Sequence, residues 1–571
     1  MNNQKIAQMF SEIADFLEME DVPFKPQAYK KAAIILDNLE EDVSDVYSKG
    51  GKKALIDLSG VGKSMAEKIE EYLKTEKIKY YEELKKKNPV DIDELIAIEG
   101  IGPKTIKTFY KKLGIKNVED LERAIKNHEI ASLPGFKEKT EENILTGIKF
   151  LKRNRGRFLL SEILPEAEEI KNKLKELKEV EKISIAGSFR RRKETVGDID
   201  ILVVAKKSEK VMDFFVNLSD VVKIWGKGKT KSSVRMKGGF DVDLRVVNKK
   251  SYGSALQYFT GAKDHNITTR RIAIKKGLKL NEYGVFRGKK MVAGWNEKGV
   301  YKKLGLSWIT PELREDRGEI EAARKNNLPK LIELKDIKGD LHCHSEWDGG
   351  NHSIREMAEA AINRGYQYLG ISDHTKFLRI ENGLDEKKLE RQRKEIEKLN
   401  KKFKNFKILQ GAEVNILKDG FLDISNEALE KLDYAIAGVH SSFKISKEEM
   451  TKRIIKAMSN PFINIISHPT GRILKERDQY DIDIDKIFEA AKKYEVFLEI
   501  NSSPKRLDLN DVNVKKAIDY GLKLTINTDS HHKDQLRYMK FGIMQARRGW
   551  VKKEDIINTF SLEKIAKLFK R

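Results

Sequence analysis

The most constraining feature of the sequence is a series of candidate metal ligands that end successive apolar runs in the C-terminal half. The first run ends in His342-x-His344, and on a strand these two imidazoles share one face because alternate side chains point the same way. The later runs end in His374, Glu413, His440, His468, Asp529 and His531. Helix-like stretches separate the runs. The pattern predicts repeated β-then-α units with a metal cluster at the C-terminal ends of the strands.

This ligand pattern resembles that of the PHP (polymerase and histidinol phosphatase) domain. The resemblance implies a distorted (β/α)7 barrel that binds up to three ions, with Asp348 as the ninth ligand, one residue earlier than in the commoner S-D-G form. Histidine and carboxylate ligands without thiolates suit Mn2+, Zn2+ or Fe2+. Arg472 is a candidate contact for a substrate phosphate. His352, His532 and Cys343 fall outside the predicted ligand set.

A second acidic cluster lies near the middle of the chain. In ISIAGSFRRRKETVGDIDILVV an apolar strand ends at Gly187-Ser188, and Asp198 and Asp200 open the next apolar run. These two carboxylates share one face of a strand and must share divalent cations to lie so close. A later strand, GFDVDLRVV, can supply a third carboxylate. An isolated D-x-D is usually a solvated strand edge, but these elements together predict a catalytic metal site.

This constellation, continued by YFTGAKDHNITTRRIAIKKGLKLNEYGVF, resembles the nucleotidyltransferase superfamily and specifically the family X DNA polymerases. The resemblance implies two-metal nucleotidyl transfer with Mg2+ or Mn2+ held by Asp198, Asp200 and Asp243. Asp241 stands where polymerase beta has an arginine. The residues that the resemblance assigns to the incoming nucleotide are Ser188, Arg191, Gly197, Tyr258, Phe259, Gly261 and Asn266. Arg270 is assigned to the template strand.

Glycine-apolar-glycine turns recur between helix-like segments near the N-terminus. Gly60 and Gly62 form one pair and Gly100 and Gly102 another, and each turn leaves the N–H groups of the following helix free to bind a phosphate. This is the helix-hairpin-helix motif, whose contact with the DNA backbone is independent of sequence. A third copy keeps Gly135 but has Lys137 in place of the second glycine.

The first hairpin segment also resembles the small N-terminal domain of polymerase beta. There a lysine forms a Schiff base with the sugar of an abasic site, and the matching residue is Lys68, with Lys25 and Tyr29 as helper residues. Such chemistry requires a partly neutral amine. The alternative, that Lys68 is only a DNA-contacting lysine, remains open.

Composition agrees with these motifs. The net charge of +23 over 571 residues favours a polyanionic partner, and no long apolar run predicts a membrane span. The single cysteine, Cys343, fits a reducing cytoplasm. We therefore expect a cytoplasmic, nucleoid-associated monomer whose partners are gapped or nicked double-stranded DNA and deoxynucleoside triphosphates.

The predicted fold class is multidomain, α+β and α/β. We expect a helical DNA-binding or lyase domain at 1–85, a second hairpin (fingers) region at 86–150, a nucleotidyltransferase palm at 151–250 and a thumb at 251–313. A partly helical linker at 314–337 would then lead to the PHP barrel at 338–571.

The predicted function is a DNA-directed DNA polymerase that fills short gaps in base excision repair. The PHP domain would add a metal-dependent 3′–5′ exonuclease, 3′-end-processing or AP endonuclease activity. One alternative is a small-molecule phosphatase whose front half only binds DNA. Another is a DNA-end scaffold without enzymatic activity, which would show degraded ligand sets. The repeated hairpins and the two intact ligand sets argue against both alternatives.

Overall fold

The computed structural model describes residues 2–39, 41–58, 60–98, 100–154, 156–378 and 382–569. The chain divides into two compact units. The first comprises Met1–Arg155 and Ile473–Asp478, and the second comprises Gly156–Arg472 and Gln479–Arg571. Among the described residues, no helix is both long and apolar enough to cross a membrane.

The first unit is helical. Its helices are α1 (Asn2–Met19), α2 (Lys25–Asn38), α3 (Val43–Ile56), α4 (Lys63–Thr75), α5 (Lys79–Lys87), α6 (Ile92–Ile96), α7 (Pro103–Leu113), α8 (Val118–Lys126) and α9 (Glu138–Asn154). Helical spacing places Ile6, Phe10, Ile13 and Leu17 of α1 in the core, each at most 2% exposed. Short turns between α3 and α4, and between α6 and α7, are the places where the sequence predicts DNA-binding hairpins.

The second unit begins with a five-stranded sheet and its helices. The elements are β1 (Phe158–Leu159), α10 (Leu160–Lys175), β2 (Val180–Ile185), α11 (Gly187–Arg190), β3 (Thr195–Val196), β4 (Asp198–Ala205), α12 (Ser208–Val216), β5 (Val221–Lys227), β6 (Lys231–Met236) and β7 (Asp241–Val246). The strand order is β2-β4-β7-β6-β5, and β4 and β7 run parallel. Ile199, Ile201 and Val203 alternate into the core from β4, so the intervening aspartates face the other way.

A smaller mixed region follows this sheet. It contains α13 (Tyr252–Thr260), α14 (Lys263–Lys275), β8 (Lys279–Asn281), β9 (Gly284–Arg287), β10 (Lys290–Ala293), α15 (Glu297–Leu304) and α16 (Glu319–Arg324). The antiparallel sheet order is β10-β9-β8. The segment interpreted as a linker is partly helical, and it is packed: Arg314 is fully buried, and Ile320 and Ala323 join the core of this region.

The C-terminal part is a parallel barrel. Its strands are β11 (Gly339–Cys343), β12 (Tyr368–Ile371), β13 (Lys407–Gln410), β14 (Glu413–Asn415), β15 (Ile436–Gly438), β16 (Ile465–Ile466), β17 (Phe497–Asn501) and β18 (Leu524–Asn527). Its helices are α17 (Ile354–Asn363), α18 (Glu386–Asn400), α19 (Asn426–Leu429), α20 (Lys447–Met458), α21 (Ile484–Lys493), α22 (Asp511–Asp519), α23 (Met539–Arg548) and α24 (Leu562–Phe569).

Two parallel bridges, Cys343–Ser530 and His374–Glu413, join the barrel's two sheets. Because β13 and β14 are separated by only two residues and pair with β12 and β15 respectively, they act as one interrupted strand. Counted in this way, the described part of the chain contains seven barrel strands. The predicted fold class, helical hairpin domains followed by a mixed sheet region and a distorted (β/α)7 barrel, is confirmed.

Candidate active sites

The first candidate site is a cluster of carboxylates on β4 and β7. The two strands pair in register, with Asp198 opposite Asp241 and Asp200 opposite Asp243. Gly187, the first residue of α11, has a positive φ, and a Cβ there would lie 2.6 Å from Asp200 Oδ2. Glycine is therefore required for the turn to approach the acids. An open cavity of about 510 Å³ is lined by Arg157, Ser188, Gly197, Asp198, Trp225, Ser233, Asp241 and Asp243.

The charges of this cluster call for a cation. Burial, together with the nearby Asp198 and Asp243 carboxylates, raises the pKa of Asp200 to about 7. Burial, then Asp243 and Asp241, also raise the pKa of Asp198. Lys231 Nζ lies 2.9 Å from Asp243 Oδ2 and supplies one positive charge. An all-oxygen set of mutually repelling carboxylates fits hard divalent cations such as Mg2+ or Mn2+.

Asp241, the residue that departs from the polymerase beta pattern, has partners of its own. Arg235 donates to its two oxygens at 2.5 and 2.8 Å, and Trp225 Nε1 donates at 2.8 Å. The bond from Arg235 holds the pKa of Asp241 below its usual value. Because these donors occupy both oxygens, Asp243 is the carboxylate of β7 that is better placed to serve a metal.

The predicted nucleotide-binding residues form three neighbouring groups. Ser188 and Gly197 line the acidic cavity. Arg191 donates to the Thr260 carbonyl and, at 3.0 Å, to Glu315, and a Cβ on Gly261 would lie 3.0 Å from its guanidinium.

The third group is on α13 and α14. The Asn266 side-chain amide donates to the Tyr258 carbonyl at 2.7 Å, and the Tyr258 and Phe259 rings meet edge to face. Arg270 Nε donates to the Asn266 carbonyl at 3.2 Å. The roles of these residues toward nucleotide and template remain predictions.

Arg157 is a residue of this site that the sequence reasoning missed. Its guanidinium donates to Thr195 Oγ1 at 3.0 Å and to the Thr195 carbonyl at 2.6 Å, and it lies beside Gly197. Its charge opposes the rise in the pKa of Asp198 that burial and the other acids cause. The only sequence signal is the basic run before β1, which reads equally well as a DNA-contacting surface.

The second candidate site surrounds Glu413 at the C-terminal ends of the barrel strands. Glu413 Oε2 lies 3.0 Å from His374 Nδ1 and 3.3 Å from His342 Nε2. Glu413 Oε1 lies 3.0 Å from His468 Nε2 and 3.4 Å from His440 Nε2. Asp529 Oδ1 lies 3.3 Å from His344 Nε2 and 3.5 Å from His342 Nε2. One carboxylate, that of Glu413, thus faces two sets of imidazoles, one set at each oxygen.

Four groupings in this cluster have ligand atoms close enough to hold one ion each. They are His344 with His374 and His531, His342 with His344 and Asp529, His374 with Glu413 and His440, and His344 with Asp348 and Asp373. Buried atoms that make no hydrogen bond include His342 Nε2, His344 Nε2, His374 Nδ1, His440 Nε2 and Glu413 Oε2. Since burying unpaired polar atoms is costly, this donor set fits bound cations.

The opposite ring nitrogens are fixed by hydrogen-bond partners. His342 Nδ1 lies 2.8 Å from Glu499 Oε1, His440 Nδ1 lies 2.7 Å from Asn415 Oδ1, and His344 Nδ1 lies 2.6 Å from Asp348 Oδ2. Such partners select the tautomer that turns Nε2 toward a metal. Asp348 therefore contacts the cluster through His344, and its role as a direct ligand remains a prediction.

Glu499 was missed by the sequence reasoning, although it too lies near the C-terminal end of an apolar run, VFLEIN. The side chains outside the predicted ligand set have other surroundings. Cys343 is buried, with Sγ 3.8 Å from Thr528 Oγ1, and the buried rings of His352 and His532 pack edge to face. The guanidinium of Arg472 pairs with Glu194 at 2.7 and 3.1 Å, and its contact with a substrate phosphate remains a prediction.

The predicted DNA-binding hairpins have the same turn conformation. Gly60, Gly100 and Gly135 have φ values of 85°, 90° and 89°. Gly62 and Gly102 directly precede α4 and α7, and a Cβ on either would meet nothing within 4 Å. The third copy differs, because the Lys137 N–H donates to Thr140 Oγ1 at 3.3 Å. The Thr140 side chain therefore accepts from the Lys137 backbone N–H, which would otherwise be available to a phosphate.

Lys68, on α4, lies in an aromatic setting. Its Nζ lies 5.2 Å from the centroid of the Tyr80 ring and 5.9 Å from that of the Tyr29 ring, and it donates to Ser64 Oγ at 3.0 Å. Burial lowers the pKa of Lys68, and the positive charge of Lys25 contributes in the same direction. A lowered pKa increases the fraction of neutral amine, the form that attacks an aldehyde.

Comparisons with known proteins cover most of the chain. Family models match a helix-hairpin-helix domain at residues 1–78, a SAM-like helix-hairpin-helix tandem at 92–149, the DNA polymerase beta palm at 160–232, the DNA polymerase beta thumb at 255–315 and a PHP domain at 340–503. The DNA polymerase/3′-5′ exonuclease PolX of Bacillus subtilis is 38% identical over 576 aligned residues, covering 100% of both chains. The chain belongs to the PolX family of DNA polymerases.

Two further relatives match about a third of this PolX chain. A probable phosphatase of Thermoanaerobacter sp. (strain X514) is 32% identical over 231 residues, or 38% of this chain and 89% of that protein. A probable phosphatase of Caldanaerobacter subterraneus is 32% identical over 203 residues, or 34% and 75% respectively. In a PolX protein, the palm and hairpin domains imply DNA and deoxynucleoside triphosphates as substrates. Both the palm and the PHP domain imply divalent metal ions.

Proposed function

We propose that this protein fills short gaps in DNA during base excision repair and processes DNA 3′ ends at its PHP site. The proposal rests on two observations in one chain. The register of β4 and β7 sets Asp200 opposite Asp243, with Asp198 two residues before Asp200, and the barrel holds the cluster around Glu413. A phosphatase that had lost synthesis, or a scaffold, would not be expected to keep both ligand sets.

In the palm, Asp198, Asp200 and Asp243 would hold two Mg2+ or Mn2+ ions. When bound, these ions supply the acidity that ionises the primer 3′-hydroxyl and the positive charge that stabilises the departing pyrophosphate. Ser188, Arg191 and Gly197 would hold the triphosphate, with the Arg191 guanidinium near the turn at Gly261. Tyr258 and Phe259 would line the sugar, Asn266 would contact the base edge, and Arg270 the template strand.

In the barrel, His342, His344, His374, Glu413, His440, His468, Asp529 and His531, with Asp348 as a ninth residue, would hold up to three Mn2+, Zn2+ or Fe2+ ions. When bound, these ions would lower the pKa of a water molecule and supply positive charge that stabilises the phosphodiester during its cleavage. Glu499 and Asn415 keep the rings of His342 and His440 aimed inward. The reactions proposed are 3′–5′ exonuclease and AP endonuclease cleavage.

The first unit would hold gapped or nicked double-stranded DNA by its phosphates. The turns at Gly60–Gly62 and Gly100–Gly102 support this role because no side chain caps the N-termini of α4 and α7. Lys68 would release the sugar at an abasic site, supported by its lowered pKa and its place beside Lys25 and Tyr29. We also propose that the protein acts as a monomer, in the cytoplasm and associated with the nucleoid.

The similarity of about a third of the chain to probable phosphatases favours one second candidate, hydrolysis of small phosphate monoesters at the PHP site. A primer annealed on gapped DNA with Mn2+, with and without nucleotides, separates the candidates. We expect extension with nucleotides, resection without them, and loss of extension in Asp198→Ala. Extension that survives in Asp198→Ala would contradict the palm assignment. Hydrolysis of p-nitrophenyl phosphate without resection of DNA would favour the phosphatase.

A further inference from the structure

Two arginines of the PHP barrel hold the palm loop that follows α11, which we define as residues 191–194. Arg548, the last residue of α23, donates to the Arg191 carbonyl at 2.7 Å. Arg472, four residues after the ligand His468, pairs with Glu194 at 2.7 and 3.1 Å. The loop that carries a predicted triphosphate contact is therefore anchored by the neighbouring domain.

Glu315 connects Arg548 to the side chain of Arg191. Its Oε1 accepts from Arg191 Nε at 3.0 Å and from Arg548 at 3.1 Å. The three side chains are 13% (Arg191), 11% (Glu315) and 2% (Arg548) exposed, so solvent screens them little. Burial alone would raise the pKa of Glu315, but Arg548 and Arg191 bring it below its usual value.

Other contacts fix Arg548 itself. Asp511 accepts from Arg548 at 2.5 Å and from Arg317 at 3.0 Å, so the guanidinium lies between two carboxylates. Arg547, the preceding residue of α23, also contacts residues that come before the barrel in the chain. Its partners are different, however: it donates to Glu312 and to the Ile332 carbonyl. The two adjacent arginines thus join the barrel to the residues before it, but Arg548 is the one of the two that contacts Arg191 and Glu315.

We infer that Arg548 is a positioning residue for nucleotide binding at the palm, acting through Glu315 and Arg191. With Arg548 present, Glu315 has a second guanidinium to balance its charge. Without it, the buried carboxylate keeps the Arg191 guanidinium and the more distant Lys193, whose Nζ lies 3.8 Å from Glu315 Oε2. Glu315 then competes with a triphosphate for the Arg191 side chain, while the Arg191 carbonyl loses its donor. The PHP domain then supports synthesis independently of its own metal chemistry. This inference rests on the proposed role of Arg191 toward the triphosphate.

The test compares Arg548→Gln, Arg548→Lys, Arg547→Gln and Arg191→Gln in the full-length protein. Nucleotide KM and kcat are measured on gapped DNA with Mg2+, and resection is measured with Mn2+ and no nucleotides. We expect Arg548→Gln to raise the nucleotide KM about tenfold while kcat changes less than about twofold. Resection stays at the wild-type rate. Arg548→Lys, which keeps the charge, recovers part of the loss, and Arg547→Gln retains the wild-type KM.

An unchanged KM in Arg548→Gln, alongside a raised KM in Arg191→Gln, would overturn the inference and leave the proposed function intact. An unchanged KM in Arg191→Gln would instead refute the proposed triphosphate contact. Equal effects of Arg547→Gln and Arg548→Gln, or joint loss of synthesis and resection, would show a general loosening of the interface and overturn the inference. If Arg548→Gln does not fold, the KM of Arg548→Lys against Arg547→Gln decides.

Discussion

His342 Nδ1 lies 2.8 Å from Glu499 Oε1, and both side chains are fully buried. Glu499 also accepts from the His468 backbone N–H at 2.8 Å and from the Asn527 amide at 2.9 Å. Glu499, which lies outside the predicted ligand set, therefore holds the ring of His342 and the backbone of His468. This arrangement leaves His342 Nε2 directed at Glu413 and Asp529.

The first prediction concerns this carboxylate. Glu499→Gln removes the negative charge that makes His342 a strong ligand. It also places an amide NH2, which is a donor, where the His468 N–H and the Asn527 amide already donate. We expect Mn2+ affinity or resection to fall about 10- to 100-fold, the usual effect of losing such a partner. Calorimetric Mn2+ titration and a labelled-primer resection assay measure it, with gap filling as the internal control. Wild-type resection in this variant would show that Glu499 is not needed to orient His342.

The second prediction concerns metal-dependent stability. Ions that bind the folded cluster and not the unfolded chain stabilise the fold, so saturating Mn2+ should raise Tm by several degrees after treatment with a chelator. Glu413→Gln should lose most of that response because Glu413 faces both sets of imidazoles. Asp200→Asn, in the palm, should keep it. A response that disappears in Asp200→Asn and persists in Glu413→Gln would place the main metal effect in the palm.

The third prediction separates the two aspartates of β7. Asp243→Asn should reduce gap-filling kcat by about a hundredfold or more, because it removes a ligand that stabilises charge in the transition state. Asp241→Asn should cost about fivefold or less, since it weakens a partly exposed ion pair with Arg235. Steady-state kinetics on gapped DNA measure both. A larger loss in Asp241→Asn than in Asp243→Asn would reverse the assignment.

The fourth prediction is a pH dependence at Lys68. The attacking form is the neutral amine, so borohydride trapping of an abasic-site oligonucleotide should increase as pH rises through the lowered pKa of Lys68. Lys68→Arg should abolish trapping. Lys25→Gln removes a nearby positive charge, which should raise the pKa of Lys68 and move the profile to higher pH. Trapping that persists in Lys68→Arg would assign the chemistry to another residue or to none.

The fold and most of the candidate ligands could be predicted because their signals are local. Alternate residues of a strand share a face, so the sequence alone indicates that His342 and His344 point the same way. The same period indicates that Asp198 and Asp200 lie together at the start of their strand. The glycines of the hairpins, and Gly187 at the start of α11, likewise indicate a backbone requirement.

The partners of those residues could not be predicted in the same way. Glu499 is 157 positions from His342, and Arg548 is 357 positions from Arg191, so tertiary packing alone brings them together. The same holds for Arg472, whose partner Glu194 lies 278 positions away in the palm. The segment interpreted as a linker is packed because Arg314 finds buried partners in Glu297 and the Ile309 carbonyl.

The central claim is that two metal sites in one chain catalyse two separate reactions on DNA. The direct measurement uses one labelled primer on gapped DNA with Mn2+, followed with and without nucleotides in wild type, Asp200→Ala and His468→Ala. We predict that Asp200→Ala loses extension and retains resection, and that His468→Ala loses resection and retains extension. Loss of both reactions in either variant, or retention of resection in His468→Ala, would contradict the claim.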